Sequence, residues 1–289
     1  MEYVHLLLNC LLEPHKDVSY LQYCLLFIQM TVSVSSDCCI IKFADEAAIV
    51  SFLKSADLDY RNEIRHFINW RKEKYLILNT KKTKEMVIDF RRSPHTSKPV
   101  LINDEEIDIV DKYKYLGTII DCKLTWNENV DYLYKKGQQR LYFLRRLNNF
   151  RIDCSLMLLF YKTFIQSILT FNFLCWFGNL SVQNKAKLNK IVNTARKIIG
   201  SHSVTPIGLF YEQQIVKKVR KIVGDSSHIL YYDYKFLPSG RRLRMPITRT
   251  NRFRHSFVPA SIYYFNNTYN RCVCVIVSCY CELLHFKQP

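Results

Sequence analysis

Two sets of residues in this chain could do chemistry: an adjacent pair of carboxylates and a dense run of cations. The carboxylates are Asp45 and Glu46, in the tetrapeptide Phe43-Ala44-Asp45-Glu46 between the apolar runs Cys39-Ile40-Ile41 and Ala47-Ala48-Ile49-Val50. Strand, acidic pair, strand predicts a tight β-hairpin with both carboxylates at its tip. Carboxylate oxygens are the ligands a hard cation such as Mg2+ takes, and an acidic turn is also what an ordinary solvated turn looks like. The cations are Lys135, Lys136, Arg140, Arg145 and Arg146, with no acid among them and with Tyr142, Phe143 and Leu144 interleaved. On a helix they would follow a nucleic-acid backbone by charge, with little sequence preference. Arg241, Arg242, Arg244, Arg249, Arg252 and Arg254 lie in a segment poor in apolar periodicity. They read as a flexible arm that orders on RNA or DNA.

The charge is distributed unevenly. The chain has 289 residues and a formal net charge of +17. Met1 to Tyr134 holds 17 basic and 20 acidic residues, whereas Lys135 to Arg254 holds 23 basic and 4 acidic. A positive block that dense implies a polyanionic partner, nucleic acid before membrane. No GxGxxG or GxxxxGK[ST] loop occurs among the seven glycines, which argues against a Rossmann or P-loop site. Eight scattered histidines form no H-E-x-x-H and no Ser-His-Asp context. The eleven cysteines lack a disulfide framework and read as reduced, mostly buried thiols. Cys272, Cys274, Cys279 and Cys281 are spaced too tightly for the usual zinc pairs and alternate like a strand. Val18 to Ser36 carries no charge and approaches the length of a membrane span, but its Gln22, Gln29 and hydroxyls favour a buried segment. Met-Glu-Tyr-Val-His lacks the positive start of a signal peptide.

The elements that must position these residues follow from periodicity. A helix is expected from about Ala56 to Lys74, where Tyr60, Ile64, Phe67 and Ile68 recur at helical spacing. Short strands are expected at Met86 to Phe90, at Val100 to Ile102, and on either side of Gly117 between Tyr113 and Ile120. From Trp126 onward the pattern is helical, at about Asn127 to Asn149, Ser155 to Thr170, Gln183 to Ile199 and Pro206 to Val223. In the third of these, Leu188, Ile191, Val192, Ala195, Ile198 and Ile199 form one apolar stripe. Trp70, Trp126 and Trp176 read as packing residues.

Several blocks then fall in the order found in one family. Ile40-Ile41-Lys42-Phe43-Ala44-Asp45-Glu46 resembles the metal-binding turn of non-LTR (LINE-type) retrotransposon reverse transcriptases. Leu78 to Glu85 and Asp89-Phe90-Arg91-Arg92 resemble the palm segment that follows, and Tyr113-Lys114-Tyr115-Leu116-Gly117 the primer-grip strands. Leu124-Thr125-Trp126 and Lys135 to Leu147 resemble the start of the thumb, and Leu237-Pro238-Ser239-Gly240-Arg241-Arg242 a segment of the C-terminal region. The resemblance spans about Ser36 to Asn266. It implies a polymerase palm and thumb, Mg2+ bound through Asp45, and nucleic acid held by Lys84 as well as by the basic residues above. Two departures count against catalysis. Glu46 stands where the family has a second Asp, and nothing upstream of Asp45 resembles the strand that supplies the other essential Asp. Two-metal chemistry depends on carboxylates in near-octahedral register, and a displacement of about 1 Å costs ~10²-fold. The same basic helix is also similar to the N-terminal segment of the AlkB homologue 8 family, whose members modify tRNA. The oxygenase chemistry of that family needs a His-x-Asp…His triad. His15-Lys16-Asp17 has the spacing, but its surroundings do not read as jelly-roll strands.

The expected architecture is therefore α+β: a small remnant of a palm sheet, a helical thumb-like bundle and a basic, weakly structured tail. The expected divisions are an apolar leader at 1–35, the palm remnant at 36–120, the helical region at 121–225 and the arm and tail at 226–289. The sheet edge beside the Asp45 hairpin is expected to be unpaired, leaving Met1 to Ile120 poorly ordered. The expected function is nucleic-acid binding without catalysis, in the nucleus or cytoplasm, with RNA or DNA as partner and no small-molecule substrate or membrane. The alternatives are a residual RNA-directed DNA polymerase using Mg2+ and completed by a partner chain, and more remotely an AlkB homologue 8 N-terminal-like protein of the dioxygenase and tRNA methyltransferase family.

Overall fold

The protein is described here by a computed structural model, which places residues 3–8, 12–14, 38–43, 46–53, 58–73, 76–90, 99–200, 203–228 and 230–268. The chain divides into two compact units, Met1–Glu128 and Asn129–Pro289. The class is α+β, as the patterning predicts.

The first unit is built on a four-stranded sheet. Its strands are β1 (Tyr3–Leu8), β3 (Cys38–Phe43), β4 (Glu46–Leu53) and β6 (Lys84–Ile88), in the order β3-β4-β1-β6. All three pairings are antiparallel. Helix α1 (Leu58–Glu73) lies between β4 and β6 in the chain, and β1, the first strand in sequence, lies between them in the sheet, a split arrangement. Two residues per period put neighbours on opposite faces. Ala47 and Ile49 face a cluster with Ile64 and Phe67 of α1 and with Val100, Ile102 and Ile107. Ala48, Met86 and Ile88 face Tyr113, Tyr115, Ile120 and Leu124. Both faces of β4 are thus covered, which explains its unbroken apolar run. Trp70 stacks on Phe67 at 5.9 Å, in keeping with a packing role.

Smaller pairs complete this unit. β2 (Leu12–Pro14) pairs with β5 (Leu76–Leu78), and β7 (Leu101–Ile102) with β8 (Glu105–Glu106) through Asn103 and Asp104 at positive φ. β9 (Lys112–Tyr115) and β10 (Thr118–Asp121) form a hairpin turning at Leu116 and Gly117, φ 45° and 84°. Two successive positive φ values match the right-handed twist of the strands they join.

One expectation is overturned here. The edge on the β4 side of the acidic hairpin is not open: β1 lies along β4 from Tyr3↔Leu53 to Leu8↔Ala48 and along β6 from Val4↔Ile88 to Leu8↔Lys84. Tyr-Val-His-Leu-Leu-Leu is a β-prone apolar run. Periodicity alone does not show where such a run will pair.

The second unit is helical. It contains α2 (Asn127–Asn149), α3 (Cys154–Phe160), α4 (Phe173–Trp176), α5 (Val182–Ile199), α6 (Ile207–Val223), α7 (Asn251–Arg254) and a helix α8 over 257–268. α3 runs on through a widened turn, Tyr161–Gln166, into Ser167–Leu169. Local capping sets the boundaries. Asp153 accepts from the Ser155 N–H at 2.8 Å at the start of α3, and Ser181 accepts from the Asn184 N–H at 3.2 Å at the start of α5. Gly200, φ 70°, closes α5 in the left-handed conformation. The stripe Leu188, Ile191, Val192, Ala195 and Ile199 is buried, and Ile198 half-buried. Trp176 is fully buried and donates from Nε1 to the Phe171 carbonyl at 3.2 Å. No single helix among the described residues is long and apolar enough to cross a membrane. A bent pair, Cys154–Leu169 with Phe173–Asn179, has that length and composition, but its Met157, Tyr161, Ile165, Leu169, Phe173 and Trp176 are buried in this unit. Val18 to Ser36 and Cys272 to Cys281 lie outside the described residues.

A second correction concerns the segment after Asp225. Tyr234, Leu243 and Ile262 share a core with Val219 and Ile222 of α6, so residues 230–268 are an anchored part of the unit and not a loose arm. The anchors are spaced too far apart to show a period.

Candidate nucleic-acid interface

Helix α2 presents the main basic surface. Its apolar positions Val130, Leu133, Leu141 and Leu144 are buried, together with Gly137. An ideal Cβ on Gly137 would come within 3.2 Å of Ile191 of α5, so glycine permits close approach of the two helices. Burying that stripe turns the remaining positions outward. Lys135, Tyr142, Phe143, Arg145 and Arg146 are exposed, and Lys136 and Arg140 half-buried. At 3.6 residues per turn, Lys135, Gln139, Tyr142 and Arg146 follow one outward row, Lys136 and Phe143 the adjoining one, while Arg140 and Arg145 fall on opposite flanks.

Several cations are committed to the fold. The Arg140 Nη1 donates to the Phe164 carbonyl in the widened turn of α3. Lys187 of α5 pairs with Asp131 and lies 5.1 Å from the Tyr134 ring centroid, which neutralises the acid nearest the basic run. Arg196 donates to the Val204 carbonyl at 3.1 and 2.7 Å. Lys185 donates to the Gly178 carbonyl at 3.3 Å, and burial pulls its pKa down. Arg146 lies 5.6 Å from the Phe150 ring centroid, an arrangement that stiffens the side chain while its charge stays in water.

The second basic feature is a tight turn. The Leu237 N–H donates to the Arg242 carbonyl at 2.8 Å, the Gly240 N–H to the Leu237 carbonyl at 2.8 Å, and the Arg244 N–H to the Lys235 carbonyl at 2.7 Å. Gly240 sits at φ 67°, a conformation that only glycine adopts cheaply. Leu243 is the anchor: it is buried, and its backbone exchanges two hydrogen bonds with the Asn266 side chain at 2.9 and 3.0 Å. Arg241 and Arg242 are therefore held at an exposed tip. Sequence reasoning found the arginines but not the turn that fixes them. Its signals were Pro238 and Gly240, both turn formers.

Lys84 is placed elsewhere, on β6 in the first unit, with its Nζ 2.5 Å from Asp108 Oδ2. This pairing spends its charge on a neighbouring loop.

The acidic turn is described only in part. Asp45 and Ala44 lie outside the described residues. Glu46 opens β4 opposite Phe43, and its Oε2 is buried with no hydrogen-bond partner among the described residues. The strands beside β4 are β3 and β1, and neither Cys-Cys-Ile-Ile-Lys-Phe nor Tyr-Val-His-Leu-Leu-Leu carries a carboxylate. Among the described residues no three His, Cys, Asp or Glu side chains converge where they could hold a metal ion. Among the described residues no set of carboxylates fits a two-Mg2+ centre. His15 and Asp17 also lie outside the described residues.

Buried phenols complete the electrostatics. Burial pushes Tyr161 up to about 12, against the lowering effect of Arg196, and raises Tyr211 further. Both are silent at neutral pH and act as packing groups.

Comparison with known proteins falls on these same helices. No curated protein matches the chain, and residues 126–167, which run from Trp126 through α2 and most of the α3 segment, match the family described as "Alkylated DNA repair protein alkB homolog 8, N-terminal".

Proposed function

We propose that this chain is a catalytically incomplete, reverse-transcriptase-like protein that binds nucleic acid through its helical unit, in the nucleus or cytoplasm. The observation that carries the reading is the outward face of α2. Lys135, Lys136, Arg145 and Arg146 stand there without an acid, on a helix locked by its buried stripe. Phosphate contacts of this kind supply affinity and little sequence information. The Arg241-Arg242 turn adds a second, fixed pair of cations. The family match on α2 and α3 is to a protein named for repair of alkylated DNA, another nucleic-acid setting. Incomplete catalysis is supported by β1, which occupies the place beside the acidic hairpin without bringing a carboxylate.

The test is binding to RNA and DNA over a range of salt. The logarithm of affinity falls by about 0.7–0.9 per phosphate neutralised per decade of salt. Replacing Lys135, Lys136, Arg145 and Arg146 with glutamine should flatten that slope by several units. An unchanged slope would show that these side chains face away from the ligand. The alternative, a residual polymerase completed by a partner chain, predicts template-dependent primer extension with Mg2+ that vanishes in Asp45→Ala; the purified chain is expected to show none.

A further inference from the structure

We infer that Tyr142 and Phe143 form a stacking platform for unpaired bases, which makes single-stranded nucleic acid the preferred ligand of the α2 surface. This rests on the nucleic-acid-binding reading above and names its ligand class. Tyr142 is 55% exposed and Phe143 56%, although the leucines that bracket them, Leu141 and Leu144, are fully buried. The two rings stand edge to face, with centroids 5.5 Å apart and planes at 76°. The two ring planes therefore face different directions. Phe150, 68% exposed, extends the aromatic surface with Arg146 against its ring.

The platform is set among cations by helical geometry. Tyr142 follows Lys135 two turns along the same row and precedes Arg146 by one turn, while Phe143 follows Lys136 by two. Charge on both sides of an aromatic pair suits a strand whose phosphates run past the helix while its bases turn inward. Bases in a duplex are stacked on one another, so an aromatic side chain gains nothing from them without unstacking. In a single strand each base offers a π-face regardless of sequence. Large apolar side chains scattered singly on a surface need no explanation; two adjacent rings with a third two turns on, just past the helix end, on a helix carrying no acid after Asp131, do.

The test uses the full chain and two labelled probes, a short oligouridine and a blunt DNA duplex, with fluorescence anisotropy at several salt concentrations. Tyr142→Leu and Phe143→Leu, alone and together, keep apolar bulk and helix propensity, and circular dichroism checks that each variant is folded. The double variant should lose roughly tenfold or more on oligouridine, with its salt slope and its duplex affinity unchanged. Equal losses on both probes, or no loss on oligouridine, would overturn the inference while leaving backbone binding intact. If the unaltered chain bound neither probe in a salt-dependent way, the nucleic-acid reading itself would fall, and this inference with it.

Discussion

Gly137 gives the sharpest test of how the helical unit is assembled. A Cβ added there would lie 3.2, 3.3 and 3.4 Å from three carbons of Ile191, and Ile191 is fully buried, so it has nowhere to retreat. Two effects oppose each other in Gly137→Ala. Helix propensity favours alanine by about 1 kcal/mol, while the tight contact forces α2 and α5 apart by a few tenths of an ångström. The net change should be within about 1 kcal/mol of zero. In Gly137→Leu the propensity gain is similar, but three more carbons enter a filled space, which costs about 1–3 kcal/mol or more. The expected outcome is net destabilisation, read by urea denaturation followed through the helical circular dichroism signal. Pairing it with Ile191→Ala should relieve much of the cost, giving a non-additive cycle. Gly208 in α6 is the control, since a Cβ there meets nothing within 4 Å and alanine should be neutral or mildly stabilising. If Gly137→Leu were instead as stable as the parent chain or more so, α2 and α5 would not meet at this point, and the face assigned as outward would be wrong.

Three further outcomes follow from the structure. The Tyr211 hydroxyl is buried with no hydrogen-bond partner among the described residues, an arrangement that costs about 1–3 kcal/mol; Tyr211→Phe should be neutral or raise the melting temperature, and a clear drop would reveal a partner for the hydroxyl. Deleting residues 1–8 removes the strand between β4 and β6 and exposes two edges; size-exclusion chromatography should show aggregation while the helical unit keeps its melting transition, and a monomeric variant would show that β1 is dispensable. Asp153 has its carboxyl held below the usual range, first by the Ser155 hydroxyl and then by backbone N–H groups; its contribution is complete above the pKa of the unfolded chain and disappears as pH falls through the lower folded value, so Asp153→Asn should shallow the acid limb of a pH–stability curve, and an unchanged limb would mean that the cap is not formed.

The sequence alone determined those features that depend on near neighbours. The helices α1, α2, α5 and α6 were legible because an apolar stripe at 3.6-residue spacing has one way to be buried, and the β9–β10 hairpin was legible through Gly117. The basic run on α2 was legible as composition. Tertiary structure decided which of those cations are available. Arg140 turns to the Phe164 carbonyl, Lys84 to Asp108 and Lys187 to Asp131, and each partner is far away in the chain. It also decided that Tyr3–Leu8 is a central strand and that Tyr234, Leu243 and Ile262 pin the arginine turn to α6. The physical reason is the same in each case. Local patterning reports how a segment buries its own apolar face, whereas strand pairing and the satisfaction of a cation are set by groups that only folding brings within reach.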